Sequence, residues 1–206
     1  MTDLPMEYFA KQDSSDDSLF YQFARKVVHI DDGAIRALSD QFGALLPKNA
    51  VLLDLMSSWR SHLPASITPA RVVGLGMNAE EMADNPALTE YVVHNLNKDP
   101  ILPFADGIFD AAICTVSVQY LQRPIEVFRE VGRVCKANAP FVVSFSNRCF
   151  PTKAVAVWLA TTDNQHMALV ARYFEDAGSW SDIQAWAKPR RFSGDPLYIV
   201  WAKRSP

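Results

Sequence analysis

Five short apolar runs recur along the chain, each followed by a polar turn and then by apolar positions at helical spacing. The first, residues 51–55, follows Pro47-Lys48-Asn49 and is too short for a helix, so it reads as a strand buried on both faces. The chain then turns abruptly polar, with Ser57, Ser58, Trp59, Ser61 and His62 in close succession. Further runs at 71–77, 90–96, 109–116 and 141–145 predict four more strands.

The intervening pattern predicts helices. Phe20, Phe23, Ala24 and Val27 recur at helical spacing, and a second helix starts at Asp31-Asp32, presents Ile35, Leu38, Phe42 and Leu45, and stops at Pro47. Asn78 with Glu81 three residues later is an asparagine version of the capping box, and Asn85-Pro86 ends that helix. Pro124 suits a first helical turn, with Leu121, Ile125, Phe128, Val131 and Cys135 on the core face. Helical material over 152–177 breaks near Thr162-Asp163 and stops at Gly178. Residues 180–187 and 196–203 read as two strands joined by a Pro/Gly turn. Strands alternating with helices predict an α/β fold: a doubly wound, mostly parallel sheet with right-handed crossovers and an antiparallel C-terminal hairpin.

A length of 206 residues fits one domain, assigned to 19–206. Residues 1–18, rich in Asp, Ser and Lys, read as a mobile arm, with closure over a pocket as the alternative. The net charge of −3 gives no affinity for polyanions, so no nucleic-acid partner is expected. The one basic cluster, Lys188-Pro189-Arg190-Arg191, reads as a solvated turn. Cys114, Cys135 and Cys149 lack paired or metal-ligand spacing and read as free thiols, with no metal, in a cytoplasmic protein. The N-terminal residues have no basic start or apolar stretch of a signal peptide, and no apolar run reaches a membrane span.

In open α/β sheets ligands bind beyond the carboxyl ends of the strands. Ser57, Ser58, Trp59, Ser117, Gln119, Tyr120, Ser146, Asn147 and Arg148 all follow strands one, four and five, so they are expected to converge. Trp59 suits stacking on a purine or roofing the sheet; Arg148 suits a substrate carboxylate or phosphate, or a nearby Asp. His29, His62 and Tyr120 are the candidate catalytic groups, the histidines because an imidazole titrates near neutrality; a structural role is the alternative.

The order of elements over residues 20–203 resembles the class I S-adenosylmethionine-dependent methyltransferases, particularly the methyltransferase type 11 family. The resemblance is carried by Leu102-Pro103-Phe104-Ala105-Asp106-Gly107-Ile108-Phe109-Asp110, by Arg123-Pro124 through Arg133-Val134, and by Asp195-Pro196-Leu197-Tyr198-Ile199-Val200. It implies seven strands, the last antiparallel, and S-adenosylmethionine over the ends of the first two. On that reading Asp54, Met56, Ser57, Ser58, Gly76, Met77, Asn78, Asn95, Leu96 and Ser117 hold the cofactor. Trp59, Gln119, Tyr120, Asn147 and Arg148 face a small-molecule substrate. Where the family reads close to LDLGCGTG, this chain keeps Asp54 but has Met56, Ser57, Ser58 and Trp59 and no glycine. The acid expected after the second strand is Gly76, with Asn78 as the nearest polar substitute, and His94-Asn95-Leu96-Asn97 follows the third. The implied activity is methyl transfer to a small molecule; the alternative is a non-catalytic binding or regulatory protein of the same fold, its loop filled by Met56 and Trp59.

Overall fold

The structure, a computed structural model, describes residues 4–189 and 194–206. Its helices are α1 (Asp17–Phe20), α2 (Asp32–Leu45), α3 (Ala79–Ala83), α4 (Pro124–Val134), α5 (Ala156–Leu159) and α6 (Asp163–Ala177). Its strands are β1 (Val51–Leu55), β2 (Arg71–Gly76), β3 (Glu90–Val93), β4 (Ala111–Thr115), β5 (Pro140–Phe145), β6 (Trp180–Ala187) and β7 (Tyr198–Arg204). They form one seven-stranded sheet in the order β3-β2-β1-β4-β5-β7-β6. The first five strands are parallel, and β7 runs antiparallel between β5 and β6. The expected α/β sheet with its closing antiparallel hairpin is therefore the observed one. Of the cluster Lys188 to Arg191, residues Arg190 and Arg191 lie outside the described residues.

Alternation along the buried strands divides the core into two layers. Leu53, Val73, Ala112, Phe141 and Val143 face α4 and α6, meeting Phe128, Val131, Tyr173 and Phe174. Leu52, Val72, Ala111, Ile113 and Val142 face α2, meeting Ala34, Leu38 and Phe42. The sheet is thus sealed on both faces, and its carboxyl-terminal ends carry the polar residues that follow β1, β2 and β4. Two stops behave as the sequence indicates: Pro124 opens α4, and Gly178, at φ 74°, ends α6 in the left-handed region.

Two expectations at the N-terminus are corrected. The arm assigned to 1–18 is anchored to the domain at Leu4, Phe9, Lys11 and Asp17. Phe9 is buried in the core, Asp13 N donates to Thr152 O at 2.9 Å, and Ala156 N donates to Ala10 O at 2.8 Å. The acids and lysines that read as solvated instead meet one another. Asp17 lies 2.7 Å from Lys11 and 3.4 Å from Lys153, and Lys153 also reaches Asp13 at 2.9 Å. The side chains of Lys11, Asp17 and Lys153 are 2%, 6% and 0% exposed. A lysine 136 residues away from Asp17 in sequence supplies the charge that lets this arm fold down, which local composition does not reveal.

The helix expected from Phe20, Phe23, Ala24 and Val27 stops at Phe20. Beyond it the backbone bonds outward: Asn78 Nδ2 donates to Tyr21 O, Arg25 N to Glu81, and Trp59 Nε1 to Val27 O. Phe23 remains 70% exposed and Val27 49%, so no apolar stripe is buried to support a helix.

Removing one partner of a buried charge cluster leaves the others uncompensated. Asp17→Ala takes from Lys11 and Lys153 their shared carboxylate, and is expected to cost about 3–5 kcal/mol in urea unfolding. A loss below about 1 kcal/mol would show that the arm contributes little to the fold.

Candidate active site

The loops after β1, β2, β3 and β4 enclose a cavity of about 130 Å3 with residues from the N-terminal segment. Its floor carries Asp54, a carboxylate only 2% exposed at the end of β1. Ser57 Oγ and Ser61 Oγ donate to Asp54 Oδ2 at 2.7 and 2.6 Å, and no cation pairs with it among the described residues. Burial raises its pKa to about 6, against the opposing pull of the two hydroxyls.

The loop 56–61 is held without glycine by side chains. Asn85 Nδ2 donates to Ser58 O at 2.8 Å and to Ser61 Oγ at 2.9 Å, while Ser58 Oγ donates to Glu81 Oε2 at 2.6 Å. Met56 takes the conformation that glycine would supply, at φ 57°, and Val116 at the end of β4 stands at φ 51°. Left-handed backbone costs such residues about 1–2 kcal/mol each, and retained strain of this kind clusters at functional sites. Glycine is required one strand over. A Cβ on Gly76 would strike the Ser57 carbonyl oxygen, because the loop closes onto β2 through Ser57 N to Leu75 O at 2.8 Å. An acidic side chain therefore has no room at the end of β2. The next buried acid along the chain is Glu81, 7% exposed and lining the cavity.

All ten residues expected around a cofactor line this one cavity: Asp54, Met56, Ser57, Ser58, Gly76, Met77, Asn78, Asn95, Leu96 and Ser117. Trp59, His29, His62 and Tyr120 line it too. Gln119, Asn147 and Arg148 do not. Gln119 is buried beneath, donating to Val116 O at 3.0 Å; Asn147 is exposed; Arg148 pairs with Asp195 at 3.1 Å. The strand ends one and four converge as expected, whereas the residues after β5 are drawn away toward Asp195. Trp59 is held from both sides: its Nε1 donates to Val27 O at 3.0 Å, and the Arg60 guanidinium stacks on its ring at 4.0 Å.

The serine hydroxyls expected to face a ligand are committed within the protein, Ser57 to Asp54 and Ser58 to Glu81. The capping box is also half made. Asn78 Oδ1 accepts from Glu81 N at 2.9 Å, but the Glu81 carboxylate turns to Ser58 and to Arg25 N. Sequence reading missed Glu81 as a wall residue, together with Asp17, Tyr21, Arg25 and Phe150. The capping signal at Asn78 pointed to Glu81, but nothing local placed Tyr21 or Arg25 there.

His29 packs its ring edge-on to Phe150 at 5.2 Å, and partial burial lowers its pKa. The His62 pKa is also lowered, by burial first and then by Arg60 and His29. Both imidazoles are therefore neutral at neutral pH and able to accept a proton. Tyr120 accepts from Phe150 N at 2.8 Å, and burial pushes its hydroxyl up to about 12. It stays protonated and acts as a hydrogen-bonding group, not a base. His94 and His166 bond to the carbonyls of Asp99 and Trp158. Among the described residues no cluster of His, Cys, Asp or Glu has the arrangement of a metal site. Nor is any described helix long and apolar enough to cross a membrane.

Residues 60–143 match the family described as "Methyltransferase domain". That segment begins within the last residues of the glycine-free loop. No curated protein sequence matches the chain. Its fold is similar to that of an S-adenosylmethionine-dependent methyltransferase from Mesorhizobium loti (16% identity, 84% of this chain and 96% of that one, TM-score 0.53). It is similar to the methyltransferase in complex with the Trm112 activator of Haloferax volcanii (12% identity, 85% and 91%, TM-score 0.59). A third likeness is to phosphoethanolamine N-methyltransferase 2 of Haemonchus contortus, solved with S-adenosyl-L-methionine (11% identity, TM-score 0.61), over 92% of this chain and 57% of that one.

The Asp54 carboxyl gives a signed pH test. Its folded pKa, about 6, lies above the unfolded value of 3.8. The folded chain therefore binds the proton more tightly, and stability falls as pH rises from about 4 through about 6. The loss is roughly 3 kcal/mol by pH 7.5. Asp54→Asn lacks it, so the stability difference between variant and wild type in urea unfolding shifts by that amount between pH 4 and 7.5. An unshifted difference would contradict the burial argument. Separately, Gly76→Ala must displace the Ser57 carbonyl and is expected to lower stability by about 1–3 kcal/mol, read by thermal or urea unfolding.

Proposed function

We propose that this chain binds S-adenosylmethionine in the Asp54 cavity and transfers its methyl group to a small-molecule acceptor. Its fold is that of the class I S-adenosylmethionine-dependent methyltransferases, and it matches the methyltransferase-domain family over residues 60–143. The observation that carries the reading is the convergence of residues from four strand-end loops on one cavity whose floor is a buried carboxylate with no cation partner among the described residues. Such a carboxylate is the complement of a ligand with an ammonium group.

When bound, the cofactor supplies an electrophilic methyl group on a sulfonium. Asp54 and the backbone of 56–58 hold the methionine end. The Arg25 guanidinium, seated on the Phe20 ring at 4.0 Å, meets the methionine carboxylate. Glu81 holds the ribose hydroxyls in place of the acid that Gly76 excludes, and Asn95 and Leu96 border the base. Displacement at a methyl group asks chiefly for alignment, with a base where the acceptor must lose a proton. The neutral imidazole nitrogens of His29 or His62 accept that proton, and the Tyr120 hydroxyl orients the acceptor.

One observation favours a second reading. A cavity of about 130 Å3 is small beside the ~300–1,000 Å3 of usual small-molecule sites. A protein whose cavity never enlarges would be a non-catalytic member of the same fold. Calorimetric titration with S-adenosylmethionine and S-adenosylhomocysteine separates the two. Micromolar affinity is expected, and no binding by a folded, monodisperse protein would overturn the enzyme reading. Glu81→Ala is expected to weaken S-adenosylhomocysteine binding by about 10- to 100-fold through loss of charge-assisted bonds.

A further inference from the structure

We propose that residues 21–30 are a gate over the cavity, and that an ion pair outside the cavity, Lys26 with Glu80 of α3 and its C-cap Asp84, sets how readily the gate lifts. The proposal deepens the cofactor reading above and rests on it for the identity of the ligand.

Four observations carry it. The segment forms a wall of the cavity through Tyr21, Arg25, Val28 and His29, and with that wall in place the volume is about 130 Å3. A nucleoside-sized ligand needs more, so this wall must move for one to enter. The segment has no regular secondary structure and is poorly covered by the rest of the chain: Phe23 is 70% exposed, Val27 49% and Val28 47%. Segments with few buried apolar contacts open at low cost.

Its ties run to the loops it covers and to α3, and its last residue, Ile30, seats in the core layer against α2 as part of the fixed end. Those ties are Asn78 Nδ2 to Tyr21 O, Arg25 N to Glu81, Trp59 Nε1 to Val27 O, and Lys26 Nζ to Glu80 and Asp84 at 3.0 and 2.5 Å. Both ends, by contrast, are fixed. Asp17 is pinned by Lys11, Lys153 and Asn97. At the other end Asp31 caps α2, accepts from Asp195 N at 2.7 Å, and donates its own N–H to Asp195 at 3.0 Å. Ten residues between two anchors lift without unfolding what lies beyond them. Charge complements the geometry: Lys26 on the segment faces Glu80 of α3 and Asp84, the residue that caps its C-terminus.

Lys26 does not line the cavity, so changing it alters the gate without touching a ligand. Lys26→Glu places a third carboxylate beside Glu80 and Asp84, and Lys26→Gln merely removes the attraction. Two measurements test the proposal on the full chain: amide hydrogen exchange without ligand, and stopped-flow association with S-adenosylhomocysteine. Exchange within 21–30 is expected to quicken in Lys26→Glu, less so in Lys26→Gln, with α2 unchanged. The association rate is expected to rise roughly fivefold in Lys26→Glu, and the wild-type rate to saturate with ligand concentration as lifting becomes limiting. Unchanged exchange within 21–30 overturns the gate whatever the ligand does, and so does an unchanged association rate. No binding by any of the three proteins, with exchange quickened in Lys26→Glu, overturns the cofactor reading of the site and supports a segment that lifts.

Discussion

A carboxylate buried at the end of β1, with no cation beside it among the described residues, is the constraint around which the strand-end region is built. Asp54 is 2% exposed and is met by two serine hydroxyls. Those hydroxyls fix the loop 56–61, Asn85 continues the chain of bonds to Ser58 O, and Ser58 passes it to Glu81. An unpaired buried polar group is costly, so each member of such a chain holds the next in place. The loop thereby obtains from side chains the order that a glycine-rich turn obtains from backbone freedom. Strain at Met56 and Val116 accompanies that solution.

The same chain of bonds ties the loop to its neighbours. Closure of Ser57 onto Leu75 leaves room for hydrogen alone at Gly76, so the departure from the family pattern after β2 is the steric counterpart of the departure after β1. A buried acid stands five residues further along, at Glu81, where it receives the Ser58 hydroxyl and the backbone of Arg25. One carboxylate thus joins the site wall to the segment that covers it. The match to the methyltransferase-domain family covers residues 60–143, and so takes in the second of these departures but not Met56 to Trp59.

The pattern along the chain by itself determined the layering and the position of the site. Short runs such as 51–55 and 141–145 are too brief for helices and too apolar for a surface, so they had to pair inside a covered sheet. Polar residues crowded behind the first and fourth runs had to emerge at one end of it. Pro124 and Gly178 set helix ends for local reasons of ring geometry and left-handed backbone, and both act as read.

Tertiary structure decided the rest, wherever a residue's partner is distant in sequence. Lys153 converts an acidic arm into a buried anchor, and the loops at Trp59, Asn78 and Glu81 take backbone bonds that a helix over 19–27 would have used itself. Arg148, a plausible substrate contact on its own strand end, is claimed by Asp195. Ser57 and Ser58 stand where a ligand was expected to find donors, yet Asp54 and Glu81 accept from them first. Periodicity reports which side chains avoid water, a property each residue carries alone; the pairing of charges and hydrogen bonds belongs to two residues at once, and only the folded chain brings them together.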